Sequence, residues 1–341
     1  MNKRIGRHTI QLPSRPSVGG FGAFVGKKEK EGPLGGFFAH WQDDTTFGQQ
    51  SWECAERELQ KRAFQLAKAA AGIENGDIAL LFGGDLLNQC ISTNYAARDT
   101  GIPFAGLYGA CSTMAESLAL AALCVDGGYA PRAAAVTSSH FCAAERQFRF
   151  PLEYGGQRAP ASQWTVSGAG SVVMGPHDGA RVSASEVCFG AVCDRGVCDI
   201  NNMGCAMAPA AAETLTGYFR DTGTRASDYG AVVTGDLGEI GAAVFLDLCA
   251  REGYDVGNHL DCGKMIYDRD TQGVYAGGSG CGCSASVLCA YFLPALQRGE
   301  MGDILFMATG ALMSTTSFQQ GESIPGIAHL VHLVPPEAAG I

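Results

Sequence analysis

The feature that most constrains this chain is that it repeats itself once. In the first half, the apolar run "IALLF" (78–82) reads as a buried strand and is followed by helical "LLNQCISTNYAAR" (86–98) and strand "PFAGLY" (103–108). A helix over 112–126 and strands "AAAVTS" (133–138) and "AGSVVMG" (169–175) complete it. The second half runs from strand "VSASEVCFGAV" (182–192) through helical "APAAAETLTGYFR" (208–220), strand "YGAVVTG" (229–235) and helical "EIGAAVFLDLCAREG" (239–253). It continues with strand "GVYAGG" (273–278), a helix over 283–297, and strands "DILFMATG" (303–310) and "GIAHLVHLV" (326–334). Two anchors go beyond element order. "GGDLLNQ" at 83–89 answers "TGDLGEI" at 234–240, and Cys111-Ser112 before one helix answers Cys283-Ser284 before another.

Two copies are too few for a solenoid. They fit two α/β halves, residues 1–178 and 179–341, packed about a pseudo-twofold axis with their strand-end loops converging on a central cleft. Ahead of the first repeat, "RHTIQL" (7–12) suits a strand. The stretch 48–71 suits a helix with Trp52, Ala55, Leu59, Ala63, Leu66 and Ala70 on one face.

Composition narrows the function classes. With 46% hydrophobic and 17% charged residues, the chain can bury a large core and has no disordered block. The net charge of -10 argues against nucleic acid as a partner, which normally needs an extended basic face. No secretion signal and no run of about eighteen apolar residues is found, so any membrane role is expected to be peripheral. The fourteen cysteines are expected to be reduced. Cys188, Cys193, Cys198 and Cys205 lack paired zinc-ligand spacing, so no metal and no cofactor is expected.

Cys111 follows a small-residue turn and opens an amphipathic run, where helix N–H groups and the dipole favour thiolate. A duplicated βαβαβαββ half with cysteine at the start of its third helix resembles the thiolase and ketoacyl-synthase superfamily, and implies a layered α/β/α/β/α fold. More closely, "KEKEGPLG", "GGDLLNQ", "GIPFAGLYGACSTMAES", "TSSHFCAAERQFRFPLEYGGQ", "MAPAAAETL", "GGSGCGCSA" and "IPGIAHLV" are similar to the stage V sporulation protein AD family.

That resemblance implies binding of dipicolinic acid (pyridine-2,6-dicarboxylate), free or as its calcium chelate. It also implies membrane subunits of the same sporulation operon as partners, a place at the inner membrane of the forespore, and a homodimer.

Against the superfamily's chemistry, the loop "AGGSGCGCSASV" (276–287) contains no histidine. Ser279 stands about where the superfamily's histidine belongs, and the turn "ATGALMS" (308–314) has neither Cys nor His. The expectation is therefore a noncatalytic binder with Cys111 at the floor of its pocket. A condensing or acyl-transfer enzyme using Cys111 is the alternative, with Cys283 as a weak candidate second thiol.

A planar dianion wants forked donors and an apolar or aromatic wall. The segment 140–158, read as a long loop, offers His140, Arg146, Arg149, Phe150, Tyr154 and Arg158. Asp85 and Asn88, just past a strand end, are further candidates, with helix capping as the competing role for Asp85. His259, Asp261 and Cys262 are read as surface residues of a polar insert, and His329 and His332 as edge or core histidines.

Overall fold

The computed structural model describes residues 3–148 and 158–337. Ten strands carry the architecture: β1 Ser17–Gly26, β2 Leu80–Gly84, β3 Phe104–Gly106, β4 Ala133–Ser139, β5 Gly168–Gly175, β6 Ser183–Phe189, β7 Ala231–Thr234, β8 His259–Asp261, β9 Ile304–Ala311 and β10 Gly326–Val334. Their order is β8-β7-β9-β10-β6-β1-β5-β4-β2-β3. The first half thus runs outward from β1 as 1-5-4-2-3, and the second outward from β6 as 6-10-9-7-8. The pairing senses match as well. β5 and β10 are antiparallel to both neighbours, whereas β2 and β7 are parallel to both of theirs. The duplication read from sequence is therefore a duplication of sheet topology; β1 and β6 meet at the pair Ser183 and Ser17, and the short strand Thr9–Gln11 of the first half also pairs with β6.

Helices separate into outer and central sets. Helices α1 (Trp52–Ala71) and α2 (Ile91–Arg98) cover the first half's outer face. α3 (Thr113–Asp126) follows, then α4 (Phe141–Phe148), and α5 (Met203–Thr222) with α6 (Gly238–Arg251) covers the second half. α7 begins at Cys281 and continues through a π-helical turn at Leu288–Phe292 to Gln297. α3 packs on β2, β4 and β5 of its own half and on β6, β9 and β10 of the other, and α7 packs on β1, β4 and β5, so both central helices reach the opposite half's sheet. Apolar burial on both faces explains why α3 is buried almost all round from Thr113 to Ala122.

Local chemistry sets the element ends. Ser51 accepts from the Cys54 N–H at the start of α1, and Gly72 closes that helix in the left-handed conformation at φ 66°.

Strand β1, "SVGGFGAFVG", is not anticipated from sequence because its glycines mask strand propensity. They are there for α1. A Cβ on Gly20 would lie 2.4 Å from the Ala67 carbonyl oxygen, and one on Gly22 2.4 Å from the Leu66 side chain. "GVYAGG" contributes only Gly278, the first residue of the two-residue strand Gly278–Ser279. Tyr275 at φ 42° and Gly277 at φ 104° break the extension, and the edge partner of β7 is His259–Asp261 instead. The surface assignment of that trio is corrected accordingly: Asp261 and Cys262 are buried and His259 is half-buried.

Candidate functional site

The central cleft is a cavity of about 310 Å³ where turns from both halves meet. Its walls are mainly apolar, from Leu86, Leu87, Phe148, Met203, Leu312 and Met313, with Tyr108 at the rim. Cys111 forms the floor.

The Cys111 turn is held tightly. Ala110 adopts φ 49°, a left-handed conformation unusual for a residue with a Cβ. The Ser112 hydroxyl donates to the Gly109 carbonyl and the Thr113 hydroxyl to the Ala110 carbonyl, both at 2.7 Å. The turn then runs directly into α3. Gly310 on β9 permits its approach, since a Cβ there would stand 2.4 Å from the Gly109 carbonyl oxygen.

Beneath the thiol lies Asp236, a fully buried carboxyl from the second-half anchor "TGDLGEI". Its Oδ2 accepts from the Gly280 N–H at 2.9 Å and from the Ser279 hydroxyl at 3.2 Å, and its Oδ1 from the Thr309 hydroxyl at 2.9 Å. The charge of this carboxyl acts on the Cys111 thiol above it. Burial pushes Asp236 up to about 7 against the pull of these donors. Burial, then the charge of Asp236, pushes the Cys111 thiol well above its ordinary value. A thiol held in this way is a poor nucleophile.

The first-half anchor does different work. Asp85 lines the cavity, but its Oδ1 accepts from the Leu87 N–H at 2.8 Å and its Oδ2 from the Thr93 N–H and hydroxyl at 2.7 and 2.6 Å. The carboxylate braces the entry to α2. Asp85 is not the N-cap residue, which for α2 is Cys90, and its bonds to Leu87 and Thr93 leave it little acceptor capacity toward the cavity. Asn88 also lines the cavity, and its side chain and N–H pair with the Gln147 amide at 3.1 Å.

The segment expected as a ligand loop is in part a helix. α4 buries Ala143, Ala144 and Glu145, and presents Ala144, Glu145 and Phe148 to the cavity. Arg146, about 100° further round the helix from Glu145, is turned outward to an ion pair with Glu53 and a position 5.2 Å from the Trp52 ring. It does not reach the cavity.

His140 is also absent from the lining. Its Nε2 lies 2.7 Å from the Thr45 carbonyl oxygen, its Nδ1 accepts from the Ala143 N–H at 3.5 Å, and its ring packs edge-on to Phe47. Cys283, the duplicate of Cys111, is sealed in the core with its sulfur 3.7 Å from the Gly235 carbonyl. Arg149, Phe150 and Tyr154 lie outside the described residues.

Arg158 binds Glu145 at 3.1 Å and the Gln163 carbonyl at 2.6 Å, and stacks near Phe141 and Trp164. Among the described residues, the lining therefore holds two acids, Asp85 and Glu145, and no basic side chain.

Sequence reasoning passed over Asp236 as a site residue although it marked the motif. The signal was the duplication itself, which places Asp85 and Asp236 at corresponding turns.

The ten-strand topology and the cleft at its strand ends define a thiolase-like protein. OleA of Xanthomonas campestris, solved with cerulenin bound, superposes with a TM-score of 0.61 at 13% identity, covering 94% of this chain and 97% of that one. Its acetamide-bound form gives 0.59 at 12% identity over 94% and 98%. Sequence is more particular. The model of the family described as stage V sporulation protein AD matches residues 6–334. The Bacillus subtilis (strain 168) stage V sporulation protein AD is 45% identical over 328 residues, 96% of each chain. The chain belongs to the stage V sporulation protein AD family.

Proposed function

We propose that the central cavity binds dipicolinic acid, pyridine-2,6-dicarboxylate, without transforming it, in the service of sporulation. The observation that carries the noncatalytic part is the floor. Burial and the charge of Asp236 hold the Cys111 thiol well above its ordinary value, and no histidine or lysine stands in the described lining. Size supports a small ligand, because about 310 Å³ is at the low end for ligand cavities and suits one aromatic ring between Phe148 and Leu312.

The acidic lining favours the calcium chelate of the diacid, which carries no net charge, over the bare dianion. The cation travels as part of the cargo. In this reading the chain serves membrane subunits of the same operon at the inner membrane of the forespore. No helix among the described residues is long and apolar enough to cross a membrane, which suits a peripheral role. Two copies would join along the outer edge of β3, where Ala105 and Gly106 are exposed beside exposed Tyr95 and Tyr108.

An acyl-transfer reading draws on the likeness to OleA and on the place of Cys111 at a helix start. It predicts an acylated Cys111 after incubation with an acyl thioester. The deciding experiment is calorimetric titration of the full chain with the diacid, with and without calcium, using pyridine-2-carboxylate as control. Saturable heat with the diacid, strengthened by calcium and lost in Leu312→Asp, supports the binder. Absence of heat in every arm would sink it.

A further inference from the structure

Behind the cavity wall at Asp85, buried polar side chains form one hydrogen-bonded network. Gln60 on α1 donates through its amide to the Thr93 hydroxyl on α2 at 3.0 Å and to the Ser138 hydroxyl on β4 at 3.3 Å. Each hydroxyl passes its own proton to a carboxyl, Thr93 to Asp85 at 2.6 Å and Ser138 to Glu56 at 3.1 Å. Asp85 and Glu56, both buried, are thus the two ends of one network in which these bonds include no basic side chain.

We propose that Glu56 is a neutral carboxylic acid in the folded protein, so that the uncompensated negative charge of the cavity wall stays on Asp85. Glu56 is then a positioning residue for the charge form of the ligand. The ligand part rests on the diacid reading above, whereas the placement of the charge is tested without any ligand.

Donor count decides which end is ionised. Asp85 receives the Leu87 N–H, the Thr93 N–H and the Thr93 hydroxyl, whereas the printed donor to Glu56 is the Ser138 hydroxyl alone. Two buried like charges joined in this way disfavour each other, and the better-solvated end keeps the charge. Two oxygens of the network point the same way. Glu56 Oε2 and, one turn along the same helix, Gln60 Oε1 are buried without a donor among the described residues. The amide and both hydroxyls have already committed their hydrogens, so a proton on Glu56 supplies the donor that the network lacks.

The groups that bear on Glu56 electrostatically are Asp85, Glu53 on its own helix, and the thiols of Cys90 and Cys281 at the starts of α2 and α7. None of these is a cation, and Glu53 is paired with Arg146. Burial, then the charge of Asp85, raises the Glu56 carboxyl well above its ordinary value. In the lining itself, the charge of Glu145 is compensated by Arg158 at 3.1 Å, while the bonds to Asp85 come from neutral donors. A charge fixed there opposes a bare dianion and tolerates its neutral calcium chelate.

The test begins with the infrared difference spectrum of the ligand-free full chain against Glu56→Gln at pH ~7. The C=O stretch of a protonated carboxyl should stand in the wild type and be missing from the variant. It should also shift in frequency when Asp85→Asn is introduced into both chains. A difference that contains only carboxylate bands overturns the proposal, and so does a band that Asp85→Asn leaves unmoved. A merely structural role for Glu56 gives neither signal. The wild-type chain labelled with carbon-13 at its glutamate carboxyls needs no folded variant: finding every one of them ionised at pH ~7 overturns the proposal as well.

Calorimetry then reads the consequence. The factor by which calcium strengthens diacid binding should fall about tenfold or more in Asp85→Asn and stay at the wild-type value in Glu56→Gln, whose amide is neutral like the acid it replaces. Loss of the calcium preference in Glu56→Gln would place the charge on Glu56 and overturn the proposal. Absence of heat in every arm would sink the diacid reading, with the infrared result still deciding where the charge lies.

Discussion

The two anchor turns, Asp85 after β2 and Asp236 after β7, occupy the same place in two copies of one topology and have opposite fates. Asp85 spends its carboxylate on the backbone of its own half, at Leu87 and Thr93. Asp236 instead accepts from Ser279, Gly280 and Thr309, its charge acts on Cys111 of the other half, and the bracing of its own turn passes to Asp261 from the edge strand β8. The cysteines diverge in the same sense, with Cys111 at the cavity floor and Cys283 sealed in the core. The difference teaches that a duplicated fold supplies two equivalent turns, and that one site arises when only one of them is left open.

The sharpest way to break this comparison is at the brace. Asp261 accepts from the Thr234 hydroxyl at 2.6 Å and from the N–H groups of Leu237, Gly238 and Lys264. Asp261→Ala is expected to cost about 3 kcal/mol or more in urea unfolding, because three buried donors lose their acceptor. A loss below about 1 kcal/mol would remove Asp261 from the account.

Gly310→Ala comes next, at about 2 kcal/mol, since its Cβ meets the Gly109 carbonyl and one turn must yield. Near-neutral stability with unchanged Cys111 alkylation would show that the turn is not held from β9.

Asp85→Asn keeps one acceptor and should cost about 1–2 kcal/mol in urea unfolding, and the absence of any measurable loss would remove the brace from the account.

The carboxyls also separate by pH. Asp236 has its folded pKa raised to about 7 from an ordinary value of 3.8, so between those values the folded state holds a proton that the unfolded state has lost. The group's contribution to stability therefore falls as pH rises from about 4 to 7. Asp236→Asn should remove that slope in chemical unfolding measured across the interval, and an unchanged slope would refute the assignment.

The smallest effect is expected far from the cleft. His332 has Nδ1 2.6 Å from Glu186 and Nε2 2.7 Å from Asp303, and those two carboxylates raise its pKa against burial. Its stabilisation, about 1 kcal/mol, is present in full below the ordinary 6.5 and is lost as pH rises through the raised folded value. His332→Gln should therefore cost stability at pH ~6 and little at pH ~9.

Much of the fold is legible in the sequence because apolar periodicity and duplication reinforce one another. The sheet order repeats faithfully, and Cys111 stands at the helix start where its motif puts it. The misreadings have physical causes. Glycines that admit α1 hide β1, and a positive φ at Tyr275 ends a run that looks like a strand. Over 141–148, arginines and aromatics suggested a loop, but a short helix turns Arg146 outward and Phe148 inward. Asp236 escaped assignment because its partner is remote in sequence. Nothing in "TGDLGEI" states that the carboxyl's charge will act on a thiol 125 positions earlier.

The central claim, a noncovalent diacid site over a silent thiol, is tested most directly by the crystal structure of this chain grown with dipicolinic acid and calcium. The account predicts the ring between Phe148 and Leu312, above an unmodified Cys111 sulfur. An empty cavity with the diacid bound elsewhere, or a covalent adduct on Cys111, would contradict it.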